Sequence, residues 1–222
     1  MPIGATHHRL DETPSTNDVA RGLAQEGAEH GTVVSTARQT AGKGRQGRDW
    51  AGADGAIAVS VVVREPVDRL LPLRAGLAVA RLAGPAARVK WPNDVLVDGR
   101  KVAGVLVEAE GSAAIVGIGV NVAVELADLP DDVAARAATL GLKAADVDAA
   151  QDRLLELLEE TLALTAPEVV AALAARDALV GKPVRWAGGD GIAAGMAEDG
   201  SLRVQTAAGA ELLLDGGEIH LL

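Results

Sequence analysis

Residues 38–50 read Arg38-Gln39-Thr40-Ala41-Gly42-Lys43-Gly44-Arg45-Gln46-Gly47-Arg48-Asp49-Trp50. Three glycines loosen this backbone, and Lys43, Arg45 and Arg48 charge it positively in a chain whose formal net charge is −10. Such a loop reads as a flexible clamp for an anionic ligand, although a lone basic run is more often a solvated turn. The residues just past the loop decide the fold. Gly42 to Gly47 spell G-x-G-x-x-G after an apparent strand, Thr32 to Ala37, but a dinucleotide fingerprint has to open a helix. Here Gly52 and Gly55 break any helix and lead into strand-like Ala56 to Val63. A Walker loop fails as well, because Ala37 and Gly44 stand where a glycine and a hydroxyl residue are required. Both familiar nucleotide folds are excluded, and an antiparallel strand pair flanking the loop is expected instead.

The composition narrows the class. The chain has 222 residues, 49% of them apolar, with no Phe, no Tyr and three Trp, so its core is built from Val, Leu, Ile and Ala. A chain of this length buries a full core in one or two domains. With no cysteine, disulfides, thiolate catalysis and thiolate zinc sites are ruled out. No signal peptide and no membrane-length apolar run is visible, so a soluble cytoplasmic protein without a membrane partner is expected. Acidic balance and the absence of a helix-turn-helix pattern before Ser15 argue against a nucleic-acid partner.

Outward from the loop, residues 1–12 read as an opening strand. His7 and His8 are adjacent but lack a third ligand at metal-site spacing. Thr13 to Asp18 offer N-cap chemistry for a helix to about Gln25, with Val19 and Leu23 on its inner side. Ser15, Thr16 and Asn17 either cap that helix or present hydroxyls and an amide to a neutral polar ligand. Leu70 to Leu82 has helical spacing. In Lys90-Trp91-Pro92-Asn93-Asp94-Val95-Leu96-Val97-Asp98-Gly99-Arg100-Lys101, Asp98-Gly99 marks a two-residue hairpin turn. A regular register sets Leu96 against Lys101 and Asp94 against Ala103. Asp94 and Lys101 then become diagonal neighbours on one face, with β-carbons about 7–8 Å apart. The Ala113–Val122 strand carries Gly117 and Gly119, which admit a close neighbour or mark a bulge, and ends near Asn121. Residues 131–140 and 146–178 read as helical, the second stretch interrupted at Pro167, with the acids of 152–160 on a solvated face. From Val180 short strands alternate with glycine turns, the pattern of a small β-barrel.

Taken in order, Ser15-Thr16-Asn17, Gln39 to Trp50, Lys90 to Asp94, Lys101 to Glu108, Gly117 to Asn121 and the tail together resemble the biotin protein ligases. The resemblance implies an α+β fold: a mixed β-sheet with helices packed on it, as in class II aminoacyl-tRNA synthetases, plus a C-terminal SH3-like barrel. It implies a catalytic domain over 1–178 and a barrel domain over 179–222. It implies that biotin and ATP, with Mg²⁺, give biotinyl-5′-AMP, whose acyl group passes to a lysine of a biotin carboxyl carrier protein. By the same resemblance Ser15, Thr16, Asn17 and Gln39 line the biotin head-group pocket, with Gly104 close to the ring system. Gly42, Lys43, Gly44 and Arg45 fold over the carboxylate, and Lys101 stands at the carboxylate–phosphate junction. Lys43, Arg45, Arg48, Trp50, Asn93, Lys101 and Asn121 fall on the adenylate side, Trp50 also as a pocket wall. Lys101, Arg45 and Asp94 are the catalytic set, Asp94 holding Mg²⁺ or orienting the incoming lysine. Lys43 and Gln46 depart from the residues usual in that loop. The nearest rivals are a lipoate–protein ligase and a non-catalytic biotin-binding sensor or adaptor; pairing of two chains as a homodimer through a sheet edge stays open.

Overall fold

The computed structural model describes residues 2–50 and 52–222; Met1, in the expected opening strand, and Ala51, just past the loop, lie outside the described residues. Strand β1 (His7–Thr13) leads through helix α1 (Thr16–Gln25) into β2 (Val33–Gln39), and β3 (Ala56–Val63) comes after the glycine loop. Helix α2 (Leu71–Leu82) precedes β4 (Arg88–Lys90), β5 (Asp94–Val97), β6 (Arg100–Glu110) and β7 (Ala113–Asn121). Short α3 (Asp131–Ala134), α4 (Val147–Leu162) and α5 (Ala166–Ala174) complete the helices. The tail holds β8 (Pro183–Trp186), β9 (Gly189–Met196), β10 (Leu202–Gln205), β11 (Glu211–Leu214) and β12 (His220–Leu221). No helix among the described residues is long and apolar enough to cross a membrane.

Strands β1 to β7 form one mixed sheet, order β1-β2-β3-β7-β6-β5-β4, parallel only at β1–β2 where α1 makes the crossover. The run of β3, apolar but for Ser60, has a simple cause: both faces are covered. Ile57, Val59, Val61 and Val63 enter the large core with Leu71, Leu73 and Leu77 of α2 and Leu154 and Leu158 of α4. Val62, one residue out of phase, packs with Ala20 and Ala24 of α1 and Ile115 of β7. Val19 and Leu23 only flank that second cluster, so the inner face of α1 is set by its small residues. The acids of 152–160 are exposed along α4 as expected, and Pro167 stands in the first turn of α5 behind a Thr165–Glu168 capping box.

Two further expectations are corrected. Asp98 and Gly99 both have positive φ (50° and 76°), as the predicted hairpin turn needs, but the register shifts between Val95 and Leu96. Asp94 therefore opposes Gly104, not Ala103. Val102 and Ala103 are both fully buried in the large core, the signature of a bulge that spends two residues on one side. The segment 131–140 is helical only to Ala134. Beyond it a turn leads to the edge of β6: Lys101 N–H donates to the Arg136 carbonyl (2.8 Å) and Ala138 N–H to the Lys101 carbonyl (2.7 Å). Ala135 and Ala137 N–H still donate back to the Asp131 and Val133 carbonyls, while the Arg136 carbonyl and the Ala138 N–H turn to the strand edge.

The tail is a five-stranded antiparallel sheet, order β11-β10-β9-β8-β12, and among the described residues its edge strands do not pair to close a barrel. Edges of four and two residues offer little ladder, and its inner face finds cover elsewhere. Val184, Ala193, Leu202, Val204 and Ile219 belong to the same buried cluster as α2 and β3. The Trp91 indole N–H donates to the Gly200 carbonyl at 2.9 Å, tying the two sheets together.

Candidate active site

A cavity of about 470 Å³ opens where the glycine loop lies over the α1 side of β6 and β7, closed at one end by residues 217–221. Sheet pleating selects which residues face it. On β7, Val116, Ile118 and Val120 turn to the core, so Gly117, Gly119 and Asn121 turn to the cavity. On β6, Lys101 and Gly104 would face opposite ways in a regular strand, because they are three residues apart. The bulge at Val102–Ala103 returns both to the cavity, beside Asp94.

One corner is neutral and polar. Ser15, Thr16 and Asn17 are all at least 96% buried at the start of α1. Ser15 occupies the N-cap position yet makes no side-chain cap bond. Gln39 takes over that task from β2: its Oε1 accepts from Thr16 N–H (2.9 Å) and Thr16 Oγ1 (3.1 Å). Beneath them sits Ser60, fully buried, with Oγ 2.7 Å from Thr16 Oγ1 and 2.6 Å from Asn17 Oδ1. An amide oxygen only accepts, so the single Ser60 proton is available to fix Asn17. Asn17 Nδ2 donates to Glu108 Oε2 at 2.7 Å, which sets the amide's orientation from the other side. Sequence reasoning missed Ser60; the available signal was one hydroxyl inside an otherwise apolar strand.

Trp50 forms the wall between this corner and the charged end. A β-carbon on Gly119 would lie 2.4 Å from Trp50 Cε2, and one on Gly104 3.2 Å from its Cζ3. Those glycines are flat because an indole lies on them. At Gly117 the intimate neighbour is Asn17, whose Oδ1 a β-carbon would meet at 2.2 Å. The Trp50 indole N–H is buried without a hydrogen-bond partner among the described residues.

At the charged end Lys101 Nζ lies 2.6 Å from Asp94 Oδ1 and 5.7 Å from the Trp50 ring centroid, a cation–π distance. Arg45 reaches over from the loop, donating to Asn93 Oδ1 (3.1 Å) and the Gly217 carbonyl (3.4 Å). Burial pulls its guanidinium below the ordinary value, partly offset by the nearby Asp94 carboxylate. Asn93 Nδ2 donates to the Val105 carbonyl, and Asn121 Nδ2 to the Ala138 carbonyl at 3.0 Å. Arg48 pairs with Glu218 of the tail.

The loop is a small hairpin. Trp50 N–H donates to Gly42 O (2.8 Å), Gly44 N–H to Arg48 O (2.6 Å), and Gln46 and Gly47 turn its tip at positive φ. Every expected site residue lines the cavity except Gly42, which is buried behind the loop. A β-carbon there would lie 2.7 Å from Trp50 O, so Gly42 permits the hairpin neck to close and does not touch a ligand. Lys43 lines the cavity, but its ammonium is committed to Asp18 at 2.7 Å. Among the described residues no group of three or more Asp, Glu, His or Cys could hold a metal ion. Asp94 alone suits Mg²⁺ only in the usual nucleotide arrangement, with phosphates and water supplying the other oxygens.

The arrangement sets a neutral polar corner and a cationic end in one cavity, on either side of an indole wall. A model of the biotin/lipoate A/B protein ligase family matches residues 10–125. A biotin–[acetyl-CoA-carboxylase] ligase of Mycobacterium tuberculosis is 35% identical, over 98% of this chain and 91% of that protein. Another, from Paracoccus denitrificans, is 43% identical over 51% of this chain and 53% of that one. Among solved structures, the biotin protein ligase from Aquifex aeolicus in complex with biotin and ATP is similar throughout. Its TM-score is 0.84 at 28% identity, covering 98% of this chain and 99% of that one.

Proposed function

The chain belongs to the biotin/lipoate A/B protein ligase family, and from that premise we propose that it activates biotin with ATP and passes it to a lysine of a biotin carboxyl carrier protein. The observation that carries this reading is the Lys101 ammonium, held by Asp94 in the cavity shared by the cationic loop and the neutral corner. In the first step a carboxylate oxygen of biotin attacks the α-phosphorus of ATP and pyrophosphate leaves. In the second the carrier lysine, as a free amine, attacks the acyl carbon of biotinyl-5′-AMP and AMP leaves.

The obstacle to the first step is repulsion between two anions, and preorganised cations are the remedy. Lys101 stands where acid and phosphate meet, with Arg45 and Arg48 above it. Ser15, Thr16, Asn17 and Gln39 receive the neutral head-group, held in place by Ser60 and Glu108. The Trp50 wall lies against Gly104 and Gly119 on the ring side and keeps water from the mixed anhydride. Asn93 and Asn121 lie toward the nucleotide. Mg²⁺, carried on the ATP phosphates, would neutralise their charge, with Asp94 its protein oxygen or the orienter of the incoming lysine. The reading divides the chain into a catalytic domain over 1–178 and a tail domain over 179–222 that curls in the manner of an SH3-like barrel. It sets the enzyme in the cytoplasm, without a nucleic-acid or membrane partner.

The test is the mass of a purified carrier domain before and after incubation with the protein, ATP and biotin. One biotinyl group should be added, lipoate should not substitute, and Lys101→Ala should retain biotin binding while losing about 10²–10³-fold in pyrophosphate release. Lipoate transfer, or biotin binding without pyrophosphate release by the parent, would overturn the reading.

A further inference from the structure

Of the three loop cations, Arg45 and Arg48 both reach the tail, at Gly217 and Glu218, whereas the tie of Lys43 does not involve the reacting end at all. Lys43 Nζ lies 2.7 Å from both carboxylate oxygens of Asp18, in the first turn of α1. Asp18 is already held: Arg21 Nη1 donates to it at 2.7 Å, and Arg21 Nη2 pairs with Glu108 at 2.7 Å. Glu110 stands 3.6 Å from the same guanidinium. A carboxylate fixed beforehand costs less side-chain entropy to pair than a free one. On the loop side Lys43 pairs by its backbone with Asp49, one residue before Trp50. The tie therefore grips the neck of the hairpin that carries the indole wall.

An acid in the first turn of a helix, paired with an arginine three residues on, has an ordinary structural reading. It accounts for Arg21 but not for a loop lysine 25 residues away spanning both carboxylate oxygens. Resting on the ligase reading above, we propose that Asp18 is a positioning residue that latches the loop through Lys43. The pair governs how long the acyl-adenylate stays in the cavity, and Lys43 acts through it and not on the reacting groups. The Lys43 hydrogen bond, ahead of the opposing effect of burial and the help of Arg21, holds the Asp18 carboxyl below its usual range. Both side chains are part-exposed, so salt screens the latch.

The test uses the full-length protein with biotin and ATP and separates two rates. Single-turnover pyrophosphate release reports adenylation; biotin appearing on the lysines of added serum albumin reports escaped adenylate. Asp18→Asn should raise escape roughly three- to fivefold, the size an exposed ion pair supports, while leaving adenylation within about twofold. Lys43→Gln should raise escape equally, the double variant no further, and Lys43→Arg should stay at the parental rate. Raising salt should bring the parent toward Asp18→Asn and barely move that variant. Normal retention by Asp18→Asn, or additive effects in the double variant, overturns the latch while normal adenylation leaves the ligase reading standing. Slowed adenylation in Lys43→Gln alone returns that lysine to the reacting groups. A parent that releases no pyrophosphate fails the ligase reading itself.

Discussion

At the scale of single residues, what matters is which hydrogen bond each polar group has already made. Gln39 caps α1 in place of Ser15, and that exchange frees a serine hydroxyl at the polar corner. Asn17 has its amide oriented by Ser60 and Glu108, so its polarity toward a ligand is set before any ligand arrives. The same accounting predicts a pH response away from the site. His30 Nδ1 accepts from the Arg64 backbone N–H at 3.2 Å, which only an unprotonated nitrogen can do. Burial holds its pKa below the ordinary histidine value, against the weaker pull of Glu159 and Glu65. His7 is shifted the same way, burial again first. With a lowered folded pKa, the unfolded chain binds the proton more readily; the stability is present above about pH 6.5 and lost as pH falls through the folded value. Thermal midpoints should therefore drop between pH 7.5 and 5.5. His30→Asn, whose Oδ1 accepts at either pH, should flatten that slope by about 0.5–1.5 kcal/mol, the worth of one neutral hydrogen bond. An unchanged slope would remove His30 from the response.

At the scale of elements, the bulge in β6 and the glycines of β7 build the cavity floor. A bulge at Val102–Ala103 is why Lys101 and Gly104 share a face, and the 136–138 segment ties down the Lys101 backbone on the side where β6 has left β7. Gly119→Ala tests the floor directly. The added methyl would overlap Trp50 Cε2, Cζ2 and Nε1 at 2.4, 2.6 and 2.8 Å, so the indole must lift. Overpacking of this kind costs about 1–3 kcal/mol, so the KM for biotin in pyrophosphate release should rise roughly tenfold or more. Gly99→Ala is no such test: a β-carbon there meets nothing within 4 Å, and its penalty is the positive φ alone. If Gly119→Ala leaves KM unchanged, Trp50 is not the wall it is taken for.

For the whole molecule, the decisive fact is that two sheets share one core. Leu202, fully buried in the tail, belongs to the same cluster as Leu73 of α2 and Leu158 of α4. Leu202→Ala should cost about 2–5 kcal/mol, and the loss should appear in a single cooperative transition by calorimetry, not as early melting of the tail. Two resolved transitions would show the sheets to be independent. The shared core also has a consequence for the site: Gly217 and Glu218, at the far end of the chain, reach Arg45 and Arg48 of the loop.

Much of this was legible without coordinates. Local chemistry announced the strand–loop–strand around Gly42 to Gly47, the Asp98-Gly99 turn, the periodic α2 and α4 helices and the glycine-punctuated tail, because each depends on residues a few positions apart. The residues that the motifs single out, Gly42 excepted, share one cavity, but its far rim at Leu129, Val133, Arg136 and 219–221 carried no signal in the sequence. Tertiary structure alone decided the rest. A bulge is a compromise between two neighbouring strands, and no alternation within β6 could place Gly104 beside Lys101. After Ala134 a closing turn delivers the Arg136 carbonyl and the Ala138 N–H to Lys101, on a strand edge far back in the sequence. Ser60 and Asp18 gained roles from residues 43 or 44 and 25 positions away. The inner face of the tail sheet is covered by another part of the chain, with Leu202 in one cluster with Leu73 and Leu158. In each case the deciding energy is a contact across long sequence separation, which a linear reading can list as components but cannot assemble.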